Sequence, residues 1–162
     1  MKLSKEQIKE AADYLESGFI VFYSLKNKEL IIVTQSKMEE AESLITSDEE
    51  LDEEYIKELD NEFGFLTIKD IFENSEDYYE FENMDSRDSF RLMEEFAESV
   101  SDKNLRDNLF FALERPKPFR NFKYELEKND TVLKTWFDFK LQGYIDDVKR
   151  QIKRFNELVN SE

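Results

Sequence analysis

The chain contains no cysteine and no histidine. That removes disulfides, thiolate nucleophiles, zinc sites of the usual kind, imidazole bases and Ser-His triads. Only three glycines are present, which leaves little room for phosphate-cradling loops. Long apolar runs are also missing. The strongest stretches, Phe19 to Tyr23 and Leu30 to Val33, fall well short of the roughly 20 residues that span a bilayer. The first residues, Met-Lys-Leu-Ser-Lys-Glu-Gln, carry no apolar signal-peptide core. The expectation is a soluble, cytoplasmic, bacterial protein with no membrane partner and no cofactor.

What the chain does have is aromatic mass and charge. Fifteen Phe, seven Tyr and one Trp in 162 residues supply enough large apolar groups for a core. The length suits one domain. The same rings can furnish a homodimer interface. The net charge is −16, and it is unevenly placed. Residues 1–36 hold five acidic and five basic side chains, and residues 86–162 hold fifteen of each. Residues 37–85 hold nineteen acidic and three basic, so the whole excess lies there. Such a segment is either a solvated, solubilising stretch, a face for a basic protein partner reached by long-range attraction, or a carboxylate metal cluster. Direct binding of duplex DNA through it is disfavoured, because phosphates meet like charge.

Periodicity and punctuation give the elements. Ser4 with Gln7 fits a capping box, and Ile8, Ala11, Ala12 and Leu15 share a helical face. This predicts a helix from about 5 to 16, closed near Gly18. Residues 19–23 and 30–34 read as strands. Lys26-Asn27 suits the turn between them, with Asn27 as the left-handed residue. Both faces of this hairpin are apolar, so it needs cover on two sides and further pairing. Phe65 to Ile68 and Tyr78 to Phe81 are the candidate extra strands. Residues 35–47 are ambiguous. Ser47 or Asp48 would cap a helix to about Glu62, ended by Gly64, and 69–77 reads as loop. Asp85 or Ser86 caps a helix to about Val100, and a second carries Leu105, Leu109, Ala112 and Leu113. Arg115-Pro116-Lys117-Pro118 breaks it. A short helix holds Phe119, Phe122 and Leu126. Asn129-Asp130 opens a long last helix, which Gly143 is expected to split or bend. The fold class is therefore α+β and helix-dominated. An N-terminal helix and β-hairpin or small sheet (1–34) and an acidic middle (35–84) precede a C-terminal multi-helix half (85–162). All three are read as parts of a single domain.

Three constellations invite a chemical reading. Glu49, Glu50, Asp52, Glu53 and Glu54 are hard oxygen donors, but on a helix they point around the axis, and EF-hand spacing is absent. A solvated helix start explains them as well. Arg115, Lys117, Arg120 and Lys123 interleave with Phe119 and Phe122. Basic-aromatic alternation can hold phosphates while bases stack. The plainer reading buries both Phe residues and pairs Arg115, Arg120 and Lys123 with carboxylates of 48–62 or 76–85. Glu94, Glu95 and Glu98 form no recognisable acid-base pair. No catalytic residue is assigned. The best functional expectation is a non-enzymatic acidic protein-binding or regulatory module. A carboxylate- and metal-dependent enzyme, or a nucleic-acid-linked role for 115–123, is the alternative.

One resemblance bears on the C-terminal half. Asp85 to Val100 (DSRDSFRLMEEFAESV), Asp102 to Glu114 (DKNLRDNLFFALE), Arg115 to Leu126 (RPKPFRNFKYEL) and Thr135-Trp136-Phe137 resemble a bacterial family of uncharacterised proteins, number 0158 of the UPF series. The positions that carry the likeness are Met93, Phe96, Phe119, Arg120, Phe122, Lys123 and Trp136. The likeness covers about 78–140, thins over 15–34 and vanishes over 37–77. Phe81-Glu82 stands where the family has Ile-Pro. The resemblance implies a helix ending in Met-x-x-Phe, a Leu-rich helix, Phe-Arg-x-Phe-Lys and a Trp-bearing helix, in that order. It implies no catalytic residues.

Overall fold

A computed structural model describes residues 1–47 and 50–161. Its elements run α1 (Lys5–Glu16), β1 (Ile20–Ser24), β2 (Leu30–Val33), α2 (Gln35–Thr46), α3 (Glu53–Phe63), α4 (Phe65–Glu73), a 3-10 turn (Ser75–Asp77), β3 (Tyr78–Phe81), α5 (Ser86–Ser99), α6 (Lys103–Glu114), α7 (Pro118–Leu126) and α8 (Asp130–Val159). The fold is α+β and helix-dominated. The chain forms two compact units. The first is Met1–Asn83 with the chain from Val148 onward, and the second is Met84–Asp147.

The first unit is built on a three-stranded antiparallel sheet in the order β2-β1-β3. Tyr78 to Phe81 thus joins the sheet, whereas Phe65 to Ile68 lies in α4. In the central strand Val21, Phe22, Tyr23 and Ser24 are all buried, as a run apolar on both faces requires. Phe22 and Val33 face Ala41 of α2, Leu59 of α3, and Phe65, Ile68 and Ile71 of α4. On the other face Val21 pairs with Phe81 and Tyr23 with Tyr79. There the Tyr79 ring meets Phe155 of α8 edge-on, 5.2 Å between centroids.

Local chemistry sets the boundaries. The capping box of α1 is complete, with reciprocal bonds between Ser4 and Gln7; a cap contributes about 1 kcal/mol. The hairpin's left-handed residue is Lys28 (φ 60°), not Asn27. The Asn27 amide N–H donates to Ser24 Oγ at 3.1 Å, which fixes the turn one residue later than predicted. Residues 35–47 resolve as α2, capped by Thr34. The next helix starts at Asp52, whose carboxylate accepts from the Tyr55 N–H at 2.8 Å. Ser47 instead donates to the Leu44 carbonyl and closes α2, and Asp48 lies outside the described residues. Gly64 (φ 73°) ends α3 in the left-handed region that glycine tolerates. Residues 69–77, expected as loop, are the end of α4 and the 3-10 turn.

The second unit holds α5, α6, α7 and α8 up to residue 147 around Met93, Phe96, Leu109, Leu113, Phe122 and Leu126. Phe96, Phe122 and Trp136 meet pairwise edge-to-face at 5.2–6.3 Å, a geometry that adds to area burial. Asp85, Asp102 and Asn129 cap α5, α6 and α8. Gly143 neither splits nor ends α8. A Cβ there would lie 2.7 Å from Leu92 Cδ1, so glycine lets α8 approach α5 closely. No helix among the described residues is long and apolar enough to cross a membrane.

Candidate functional site

The acidic residues of the middle segment fall on α2, α3, α4, the 3-10 turn and β3. Glu49 lies outside the described residues. Glu50, Asp52, Glu53 and Glu54 are all exposed. Asp52 caps α3, and Glu53 and Glu54 occupy its first turn, where the positive end of the helix dipole favours them. Among the described residues no three carboxylates gather as a metal site.

Few of the segment's carboxylates meet a cation. Lys37 reaches Glu62 at 2.8 Å and Glu40 at 3.9 Å, and Lys69 reaches Glu73 at 3.7 Å. Lys26 pairs with Asp77, Arg87 with Asp85 at 3.4 Å, and Arg154 with Glu82 at 3.1 Å. The Glu62 carboxylate raises the Lys37 ammonium above its usual range, and Asp77 does the same for Lys26. Glu39, Glu42, Glu50, Glu53, Glu54 and Glu58 form no ion pair among the described residues. The outer faces of α2 and α3 therefore keep unneutralised negative charge.

The basic-aromatic segment is divided by helix geometry. Phe122 is buried in the core of the second unit, while Phe119 stays 46% exposed. Lys123 sits beside Glu127, the residue that caps the end of its own helix, at 3.8 Å. Arg115 lies over the ring of Phe111, 5.2 Å from its centroid. Arg115 and Arg120 share a cleft of about 300 Å³ with Phe111 and Tyr124, rings that are 60% and 62% exposed. These two aromatics lie outside the basic stretch in sequence. The signal for Phe111 is its place beside the inward positions Leu109, Ala112 and Leu113 of α6, which turns it to solvent.

A second concavity, of about 310 Å³, opens between α5, α7 and α8 of the second unit. Leu92, Met93, Phe122 and Trp136 form its apolar wall, Phe119 and Phe137 stand at its edge, and Lys123 and Lys140 also line it. Among the described residues that line it, none is acidic. No linear run of the sequence marks this hollow, because its walls come from three separate segments. Compared with protein-family models, with curated proteins and with solved structures, the chain matches none.

The chemical capacity of these places follows from their residue types. Among the described residues the acidic faces offer charge without three carboxylates converging, which suits attraction of a cationic surface. The Arg115–Arg120 cleft offers guanidinium forks beside two exposed rings that already meet cations, Phe111 under Arg115 and Tyr124 under Lys128. The α5–α7–α8 hollow offers an apolar wall with two ammonium groups and no carboxylate.

Proposed function

We propose that the protein is a non-enzymatic binding module of the bacterial cytoplasm that docks a basic protein partner on the acidic helices of its first unit. The observation that carries this reading is the set of carboxylates on α2 and α3 with no cationic partner among the described residues. Unpaired charge of one sign raises association rates with an oppositely charged surface, by 10-fold or more at low salt. The test is a lysine- and arginine-rich peptide array probed with two charge-matched variants. One carries Glu39→Gln, Glu42→Gln, Glu50→Gln and Glu58→Gln. The other carries Glu94→Gln, Glu95→Gln, Glu98→Gln and Glu114→Gln. Salt-sensitive binding is lost in the first and kept in the second. Equal loss in both reduces the effect to net charge and removes the docking site.

A second reading rests on the cleft of Arg115 and Arg120 with the exposed Phe111 and Tyr124 rings. Two guanidinium groups beside two solvent-exposed rings, Phe111 under Arg115 and Tyr124 under Lys128, suit single-stranded nucleic acid. Arg120→Ala and Tyr124→Ala then weaken binding of a short single strand in a gel shift, and an unchanged shift removes the reading.

A further inference from the structure

We propose that the cleft of Arg115 and Arg120, where α6 meets α7, takes the phosphorylated end of a short single strand: one terminal nucleotide with its phosphomonoester. This rests on the single-strand reading of the same cleft and adds which part of the strand is held. The cleft measures about 300 Å³. That is the lower end of the roughly 300–1,000 Å³ usual for ligand pockets, and it suits one nucleotide rather than a run of several. The charge around it does not attract a run either. Residues 84–147 hold fourteen acidic and eleven basic side chains, a net of −3, and a row of phosphates meets like charge on such a body.

The charges inside the cleft select the end of the strand. Neither Arg115 nor Arg120 has a carboxylate partner among the described residues. Arg115 lies over the Phe111 ring, 5.2 Å from its centroid, and a guanidinium stacked by its face keeps its in-plane N–H donors for an anion. Among the described residues of the lining only Glu125 is acidic, and Lys128 meets its carboxylate at 2.7 Å. An internal phosphodiester carries one negative charge, whereas a phosphomonoester carries about −1.5 to −2 at pH 7. The terminal phosphate therefore matches two guanidinium forks better than an internal one does. The Phe111 and Tyr124 rings are 60% and 62% exposed, which leaves ring surface for the base of that same nucleotide.

The experiment is calorimetric titration of the full chain at low salt with tetra-adenylate in three forms: 5′-phosphorylated, 3′-phosphorylated, and hydroxyl at both ends. Adenosine monophosphate and a tyrosine-phosphorylated tetrapeptide are the further probes. At least one phosphorylated strand binds about 10-fold more tightly than the hydroxyl-ended strand. Arg115→Gln with Arg120→Gln removes this preference. Lys103→Gln with Lys134→Gln, which changes the net charge equally outside the cleft, keeps it. Circular dichroism checks the fold of both variants. A hydroxyl-ended strand bound as tightly as both phosphorylated forms overturns the recognition of an end and leaves the single-strand reading in place. No binding of any strand overturns both, and binding of adenosine monophosphate alone then assigns the cleft to a free nucleotide. A phosphopeptide bound as tightly as the preferred strand overturns the choice of a nucleotide. A preference that survives in folded Arg115→Gln with Arg120→Gln overturns the placement in this cleft.

Discussion

Gln151 does the work of a short strand. It is 5% exposed on α8. Its Oε1 accepts from the Glu82 N–H at 2.9 Å and its Nε2 donates to the Glu82 carbonyl at 2.8 Å. The side-chain amide thus closes the backbone just past β3 as a neighbouring peptide would, and the Tyr79 hydroxyl donates to the same oxygen at 3.3 Å. Gln151→Ala leaves both Glu82 groups without these partners and costs about 1–3 kcal/mol. Gln151→Glu keeps an acceptor but has no donor for the Glu82 carbonyl, so it also destabilises. Urea unfolding of the two variants checks both. If Gln151→Glu is as stable as the native chain, the paired amide is not what holds this edge. Gly143 is the other residue whose identity is dictated. Alanine there gains about 1 kcal/mol of helix propensity, but its Cβ meets Leu92 Cδ1 and Cδ2 at 2.7 and 2.8 Å. Overpacking of this kind costs about 1–3 kcal/mol. Gly143→Ala is therefore expected to lower the urea midpoint, and an unchanged or raised midpoint means that Leu92 swings aside freely.

At the scale of elements, α4 and β3 are tied by one titratable pair. The Tyr78 hydroxyl donates to the Asp70 carboxylate, which also accepts from Asn74 Nδ2 at 2.7 Å. The carboxylate raises the Tyr78 phenol from 10.0 to about 12, and the hydroxyl holds Asp70 below its usual 3.8. The signs give two limits. The Tyr78 contribution is whole below pH 10 and is lost as pH climbs through about 12. The Asp70 contribution is whole above the unfolded carboxyl value of 3.8 and is lost as pH falls through the lower folded value. Tyr78→Phe is expected to flatten both arms of the stability profile measured by urea unfolding. Retention of the native alkaline arm in that variant assigns the loss to another group.

These same elements show what the sequence could reveal. Helices with a clear apolar stripe and cap candidates confined to one or two adjacent residues, α1 and α5, are legible to within a residue or two from Ser4 and Gln7 and from Asp85 and Ser86. The helix α4 was hidden because Phe65-Leu66-Thr67-Ile68 is rich in β-formers. Its true signature is Phe65, Ile68 and Ile71 turned to the core with Leu66 left 48% exposed. The start of α3 is not fixed by local sequence, because Ser47, Asp48 and Asp52 are all competent caps and only tertiary placement selects Asp52. At the candidate sites, the solvated start of α3 could be read from its spacing. Helix rotation separated Lys123 from Arg115 and Arg120, and it brought in Phe111 and Tyr124. Neither effect is visible in a linear run.

For the molecule as a whole, the question is what a net charge of −16 does to stability. The ion pairs of the middle segment are largely exposed, as in Lys69 with Glu73 and Arg154 with Glu82, and each is worth about 0–1 kcal/mol. Against them stand the carboxylates of α2 and α3 that have no cation beside them among the described residues. Their mutual repulsion acts over a screening length of about 30 Å at 0.01 M salt and about 8 Å at 0.15 M. Repulsion over many pairs outweighs a few exposed attractions, so added salt is expected to raise the thermal midpoint over this range. Glu39→Gln, Glu42→Gln and Glu58→Gln, which avoid the first turn of α3, are expected to raise it at low salt and to shrink the rise with salt. Calorimetry at the two ionic strengths decides. A midpoint that falls as salt is added means that the exposed pairs dominate and the free carboxylates carry no strain. A midpoint that rises shows that the acidic faces cost stability, which is the condition under which a basic partner, by neutralising them, would be held most firmly.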